Sequence, residues 1–172
     1  DLDKVSGNHI IVKNLPEGTK FTTLDGVERT LSADDLMICD EKGGACIAGV
    51  FGGLNSGVTE QTTTVFLESA YFNPVSVRKT ARRHGLNTDA SFRYERGCDP
   101  NNTLFILQFA SLLIKEVAGG TVSSEVFDNY PVAVEPFKVD LSFSKINSLI
   151  GKEIAPSEVL TILKGLEIDV LK

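Results

Sequence analysis

Tryptophan is absent, histidine occurs twice and cysteine three times in 172 residues, and each scarcity removes a class of chemistry. Cys39, Cys46 and Cys98 are odd in number and form no C-x-x-C pair, so neither a disulfide framework nor a zinc site is expected, and a reducing cytoplasm suits them best. With only His9 and His84, no histidine-cluster metal site is expected, and a Ser-His-Asp arrangement has few residues to draw on. Positive charge is also short. Seventeen Lys and Arg against 23 Asp and Glu leave a net charge of -6, which argues against a surface that binds nucleic acid all over, because neutralising phosphates takes clustered cations. No apolar run reaches the roughly 18 residues that a membrane-spanning helix needs. The opening residues do not read as a signal peptide, and a chain starting at Asp1 is expected to have been cut from something longer.

What is present is enough apolar material, 42% of residues, to bury the core of one domain with a smaller second unit. The first third reads as β-structure. HIIVKNL alternates in part, Asp25-Gly26 separates two strand-like arms in FTTLDGVERTL, and LMICD, ACIAGV and TTTVFLESAYF follow as apolar or β-branched runs. Asn73-Pro74 is a helix start and Gly85 its stop; Asp99-Pro100 repeats the device ahead of residues 104–118. The apolar residues of that second helix cover most of its circumference, which predicts a central, buried helix ended by Gly119-Gly120. TVSSEVFD reads as one more strand and NYPVAVEP as a linker. Beyond it, Ser142 caps a short helix ending at Gly151, and Pro156 opens another, a unit too small for a core of its own.

Several stretches could carry chemistry, and each has a plainer reading. GVFGGLNSG lacks both the G-x-G-x-x-G order and the G-K-[ST] ending of nucleotide loops, leaving a strand-end turn with close backbone approach, or close approach to a substrate side chain. Glu68 ends an apolar run and shares a face with Phe66 and Ala70; it either points into water or sits in an aromatic-sized pocket, accepting a hydrogen bond from a ligand hydroxyl. Residues 78–96 carry Arg78, Lys79, Arg82, Arg83, Arg93 and Arg96 against Asp89 and Glu95, a contrast with the acidic whole that suits either a phosphate-bearing partner or ion pairs on a solvated helix face. His84 lies on the apolar stripe of its helix, as a packed or capping histidine does. Thr88, Asp89 and Ser91 shape a turn or position a water.

The run GVFGGLNSGVTEQTTTVFLESAYFNPVSVRKTARRHGLNTDASFRYERGCDP resembles the editing domain in the β subunit of bacterial phenylalanine-tRNA synthetases, with GVFGG, LESAYF, ARRHGL, DAS and RYERG in the family's order and spacing. KVDLSFSKINSLIGKEIAPSEVLTILKGLEIDV is similar to the start of the β subunit's next domain. The resemblance implies an α+β fold of packed sheets around a buried helix over residues 1–130, then a truncated winged-helix-like unit over 136–172. It implies hydrolytic proofreading, in which tyrosine wrongly attached to the phenylalanine tRNA is removed. An apolar synthetic pocket rejects an added hydroxyl poorly, so a second site selects it. On that likeness Glu68 and the backbone at Gly52 recognise the tyrosine hydroxyl, while Thr88, as the catalytic-site residue, and Ala90 line the pocket near the ester. No metal or cofactor is implied for these residues, whereas the parent enzyme uses ATP and magnesium. Its partners would be the tRNA 3′ end and a synthetase α subunit in a cytoplasmic heterotetramer of two α and two β chains, with no membrane or DNA. The family's editing histidine sits in a segment that DLDKVSG would follow directly, so the fragment alone is expected to be weakly active or inactive. Two rival readings remain, a non-catalytic tRNA- or subunit-binding module and a free-standing hydrolase.

Overall fold

The computed structural model describes residues 1–171. In chain order the strands are β1 (Ile11–Asn14), β2 (Lys20–Thr22), β3 (Glu28–Thr30), β4 (Leu36–Cys39), β5 (Gly44–Ile47) and β6 (Phe51–Gly52). The helices are α1 (Pro74–His84), α2 (Asp89–Tyr94), α3 (Thr103–Ala118), α4 (Phe143–Ile150) and α5 (Pro156–Gly165). This is the α+β class expected. Two compact units divide the chain, Asp1–Asn129 and Tyr130–Lys172.

In the first unit, β1, β4, β5 and β6 form an antiparallel sheet in the order β1-β4-β5-β6, while β2 and β3 form the hairpin that Asp25-Gly26 announces. Gly26 takes a φ of 77°, and the Asp25 carboxylate accepts hydrogen bonds from Thr23 Oγ1 at 2.6 Å and the Val27 amide at 3.2 Å, which is why this dipeptide closes the turn. Backbone bonds from Leu24 N to Gly52 O at 2.9 Å and from Leu54 N to Thr22 O at 3.1 Å lash the hairpin to β6. The core is built from Leu31, Met37, Cys39, Ile47 and Val50, all but inaccessible, with Phe72, Val77, Ala81 and Leu86 packed on them. Val77 and Ala81 are spaced to face one way from α1, so the helix lies over the sheet.

α1 starts and stops where the sequence says. Asn73 Oδ1 accepts from the amides of Val75 and Ser76 at 2.9 and 3.2 Å, Pro74 occupies the first turn, and Gly85 ends the helix in the left-handed region at φ 64°. Six residues of HGLNTDASFRYER, Asp89–Tyr94, form a second helix rather than an open loop. There Thr88 and Ser91 make a reciprocal capping box, so a stretch that reads as turn chemistry is the start of α2.

Three expectations fail. The helix of residues 103–118 is not the buried centre of the fold: none of its residues is buried, and Phe105 and Phe109 stack on its outside with centroids 6.3 Å apart. Burial takes a covering surface as well as an apolar circumference, and the face of the sheet that forms the core is already occupied by α1. TTTVFLESAYF joins no strand ladder among the described residues, because β-branched and aromatic content favours a half-buried strand without providing a partner edge. TVSSEVFD likewise forms no strand. In the second unit, Ser142 caps α4, Gly151 ends it at φ 77°, Pro156 opens α5, and Val159 is its buried residue.

Candidate functional site

Gly52 is the residue from which the site is built. A methyl group placed on its Cα would meet no atom within 4 Å, whereas at Gly53 it would lie 2.4 Å from the Ala45 carbonyl oxygen and 2.8 Å from the Phe21 ring. Adjacent strand residues point to opposite sides. Gly53 is therefore glycine because packing demands it, and Gly52 opens onto free space. Directly across the ladder from Gly52 is Cys46, whose thiol is pushed up to about 12, first by burial and then by the negative charge of Glu68. That charge also bears on the phenol of Tyr94, raised first by burial and then by Glu68. Glu68 thus stands within electrostatic reach of the β5–β6 floor and of α2.

Glu68 lies on the segment after residue 62, which forms neither helix nor strand, and is exposed, as is Phe66. Although water reaches its carboxylate, burial by the surrounding protein pushes its pKa upward. The two hold together for a carboxylate open to solvent from one direction only. It has no salt-bridge partner among the described residues. Glu68 is thus exposed, as the plainer reading has it, with a carboxyl that is partly desolvated.

Thr88 is tied to the same strand region. Its hydroxyl donates to the Val50 carbonyl at 2.6 Å and accepts from the Ser91 amide at 3.0 Å, while its own amide donates to Ser91 Oγ at 3.0 Å. Ser91 Oγ lies 3.2 Å from the same hydroxyl, so the Thr88 side chain is held on three sides. Ala90 follows on the exposed side of α2. The structure thus brings Thr88 to the start of β6 and Glu68 near the partner of Gly52, while Ala90 stands at the rim. The clearest hollows lie elsewhere: a groove of about 640 Å³ along Phe21, Gly44 and Gly53, and one of about 100 Å³ between Leu36, Phe72 and α1. Neither contains Gly52, Glu68, Thr88 or Ala90.

The basic segment divides. Arg83 pairs with Asp35 and lies 3.8 Å from Asp34, and Arg96 binds Glu95 at 3.1 Å while its guanidinium covers the Phe92 ring at 3.5 Å. Arg78, Lys79 and Arg82 are exposed and form no ion pair among the described residues, which leaves them for an anionic partner. His84 is packed as expected, its ring almost wholly buried with Nε2 2.7 Å from Asp35 Oδ2. Sequence reasoning missed Asp35, Cys46 and Tyr94. For Asp35 a signal existed, since Thr80, Arg83 and His84 stand at i, i+3 and i+4 and so turn donors to one side of a helix.

Fold and site together define an α+β domain that presents a partly desolvated carboxylate and a bare strand glycine beside a capped helix start. The B3/4 domain family model matches residues 1–119, and the chain belongs to that family. It is similar to the phenylalanine–tRNA ligase beta subunit of Bacteroides thetaiotaomicron, 58% identical over 171 residues, covering 99% of this chain and 21% of that protein. The same subunit from Porphyromonas gingivalis is 55% identical over 173 residues, covering 100% of this chain and 21% of that protein. That from Carboxydothermus hydrogenoformans is 45% identical over 166 residues, covering 96% and 21%. The chain spans about a fifth of the length of the curated relatives it matches.

Proposed function

We propose that the chain is the editing module of a phenylalanine–tRNA ligase beta subunit and hydrolyses tyrosine from wrongly charged phenylalanine tRNA. The observation that supports it best is Glu68, a carboxylate with no protein counter-charge among the described residues, partly desolvated, and electrostatically coupled to the strand residue opposite Gly52. Tyrosine and phenylalanine differ by one hydroxyl. A charged acceptor gives that hydroxyl a hydrogen bond worth about 1.5–3 kcal/mol, roughly 10- to 150-fold in favour of tyrosine. Phenylalanine leaves the acceptor unused. Ala90 keeps the approach to the ester open, and the fixed Thr88 side chain shapes the place where water attacks, so attack relies on positioning rather than on a covalent nucleophile. Arg78, Lys79 and Arg82 meet the tRNA phosphates. The ATP- and magnesium-dependent attachment of phenylalanine belongs to the remainder of a cytoplasmic ligase and its α subunit.

In the full-length ligase, Glu68→Ala is expected to reduce the preference for Tyr-tRNA over Phe-tRNA in deacylation by about 10- to 150-fold while phenylalanine attachment continues. Hydrolysis of the two charged tRNAs is measured separately. An unchanged ratio refutes the reading, and an unchanged ratio with weakened tRNA binding favours the alternative, a binding module without catalysis.

A further inference from the structure

We propose that Asp35 is a positioning residue for the candidate site, acting through Arg83 and His84 to fix the turn that carries Thr88 and Ala90. The proposal rests on the editing reading above. Asp35 precedes β4 and is fully buried, a location that an unpaired carboxylate does not tolerate. Every approach to it is taken. Oδ2 accepts from the Ser32 amide at 2.8 Å and lies 2.7 Å from His84 Nε2, while Oδ1 accepts from Thr80 Oγ1 at 2.9 Å and from Arg83 Nη1. Burial pushes the carboxyl pKa up, but the bonds from Ser32, His84 and Thr80 outweigh it and hold the group below its ordinary value. Three of the four donors come from the last turns of α1, so one carboxylate grips the end of that helix.

The grip continues into the site without slack. Arg29 Nη1 donates to the His84 carbonyl at 2.9 Å, and its other nitrogens are held by Thr23 Oγ1 at 2.9 Å and Asp25 Oδ2 at 2.7 Å. Gly85 then reverses the chain, the Leu86 amide returns to the Ala81 carbonyl at 2.9 Å, and Leu86 is buried in the core. Ser91 Oγ reaches the Leu86 carbonyl at 3.4 Å and closes the capping box with Thr88, whose hydroxyl ends on Val50. Thr88 thus inherits its position from two anchors, Val50 ahead of β6 and the gripped end of α1. Loss of the second lets the turn pivot about the first. A displacement of about 1 Å at a reacting centre costs on the order of 100-fold in rate. On the editing reading Thr88 and Ala90 serve the ester while Glu68 and Gly52 hold the side chain, so the pivot lowers turnover more than binding.

The test uses the full-length ligase with Asp35→Asn, His84→Ala and His84→Gln, the last retaining a side-chain donor. Deacylation of Tyr-tRNA is resolved into kcat and KM below each variant's unfolding transition, with phenylalanine attachment by the same preparations as the internal control. Expected are a fall in kcat of about 10- to 100-fold for Asp35→Asn and His84→Ala, KM within about twofold, partial recovery in His84→Gln, and unaltered attachment. Lower melting temperatures with wild-type kcat, or attachment lost in parallel with editing, overturn the proposal. If Asp35→Asn does not fold, the two His84 variants decide alone. Glu68→Ala run alongside separates the two ideas: if it leaves the tyrosine preference intact the editing reading fails, whereas if it abolishes that preference while kcat survives in the Asp35 and His84 variants, only the positioning role fails.

Discussion

Adding one methyl group at each of two neighbouring glycines separates the demands of folding from those of the site. At Gly53 the new carbon would sit 2.4 Å from the Ala45 carbonyl oxygen, the same oxygen that accepts the Gly53 amide at 2.9 Å, and 2.8 Å from Phe21. Relief requires either β5 and β6 to part or Phe21 to leave its place. Overpacking costs about 1–3 kcal/mol and the weakened backbone bond about 1 kcal/mol more. Gly53→Ala is therefore expected to destabilise by about 2–4 kcal/mol, and at about 2–4 °C per kcal/mol for a chain of this size the melting temperature falls by roughly 4–16 °C. At Gly52 the same carbon enters empty space, and its φ lies outside the left-handed region. Gly52→Ala is expected to leave melting unchanged or raise stability by about 0.4–1 kcal/mol, through the stiffer unfolded chain. It also places a methyl beside the backbone that the editing reading sets against the tyrosine side chain, a penalty of about 1–3 kcal/mol, or roughly 5- to 150-fold in Tyr-tRNA hydrolysis. Thermal unfolding followed by circular dichroism and deacylation by the full-length ligase read the two effects. A Gly52→Ala protein that melts early, or a Gly53→Ala protein that melts like the wild type, refutes the assignment of the two faces.

Because burial raises the Glu68 pKa above its ordinary 4.5, the carboxylate acceptor is lost at a higher pH than an exposed Glu would be, and the tyrosine preference is expected to fall as pH drops through that raised value; a profile shared by Glu68→Gln refutes this. The stability effects of Glu68 and Asp35 have opposite signs. Ionised Glu68 costs stability above its folded pKa, and this cost disappears on acidification, while Asp35 contributes stability present above its unfolded value near 3.8 and lost as pH falls through its lower folded value. Acid unfolding of Asp35→Asn should accordingly lack the lowest part of the wild-type pH dependence, and a superimposable curve counts against the network. Ala90→Trp is expected to block tyrosine binding with normal melting, since the methyl is exposed on α2; a large drop in melting temperature with binding retained at low temperature assigns Ala90 to the core instead.

Local punctuation was legible in the sequence and partnership was not. Asn73-Pro74, Gly85, Asp25-Gly26, Ser142 and Gly151 act within a few residues of themselves, so their identities suffice to place turns and caps. His84 was readable as packed because helical spacing puts it beside Val77 and Ala81. The exposure of α3 and the unpaired state of the Glu68 segment depend on which surfaces lie alongside, and nothing in LFILQFASLLI or TTTVFLESAYF states that. The open face of Gly52 and the crowded face of Gly53 are likewise invisible in two identical letters. Asp35 was missed because a carboxylate in SADDL reads as turn chemistry; only the approach of α1, distant in sequence, makes it buried.

The segment that carries Glu68, free of helix and strand, behaves mechanically like a cord pinned near its ends. One pin is the bond from Leu2 N to Thr64 O at 3.0 Å, and the other is Phe72, sunk in the core and followed at once by the Asn73 cap. Between them no backbone-to-backbone hydrogen bond is made among the described residues, and Glu68 lies midway. A cord yields most at its middle. On the proposed reading the acceptor follows a hydroxyl sideways without breaking a ladder, held by Leu2 and Phe72 at the ends and by Ala70, which packs against the core. On that reading tightness of selection is set from outside the site, and the segment's amides should exchange hydrogen with water sooner than those of β4 and β5.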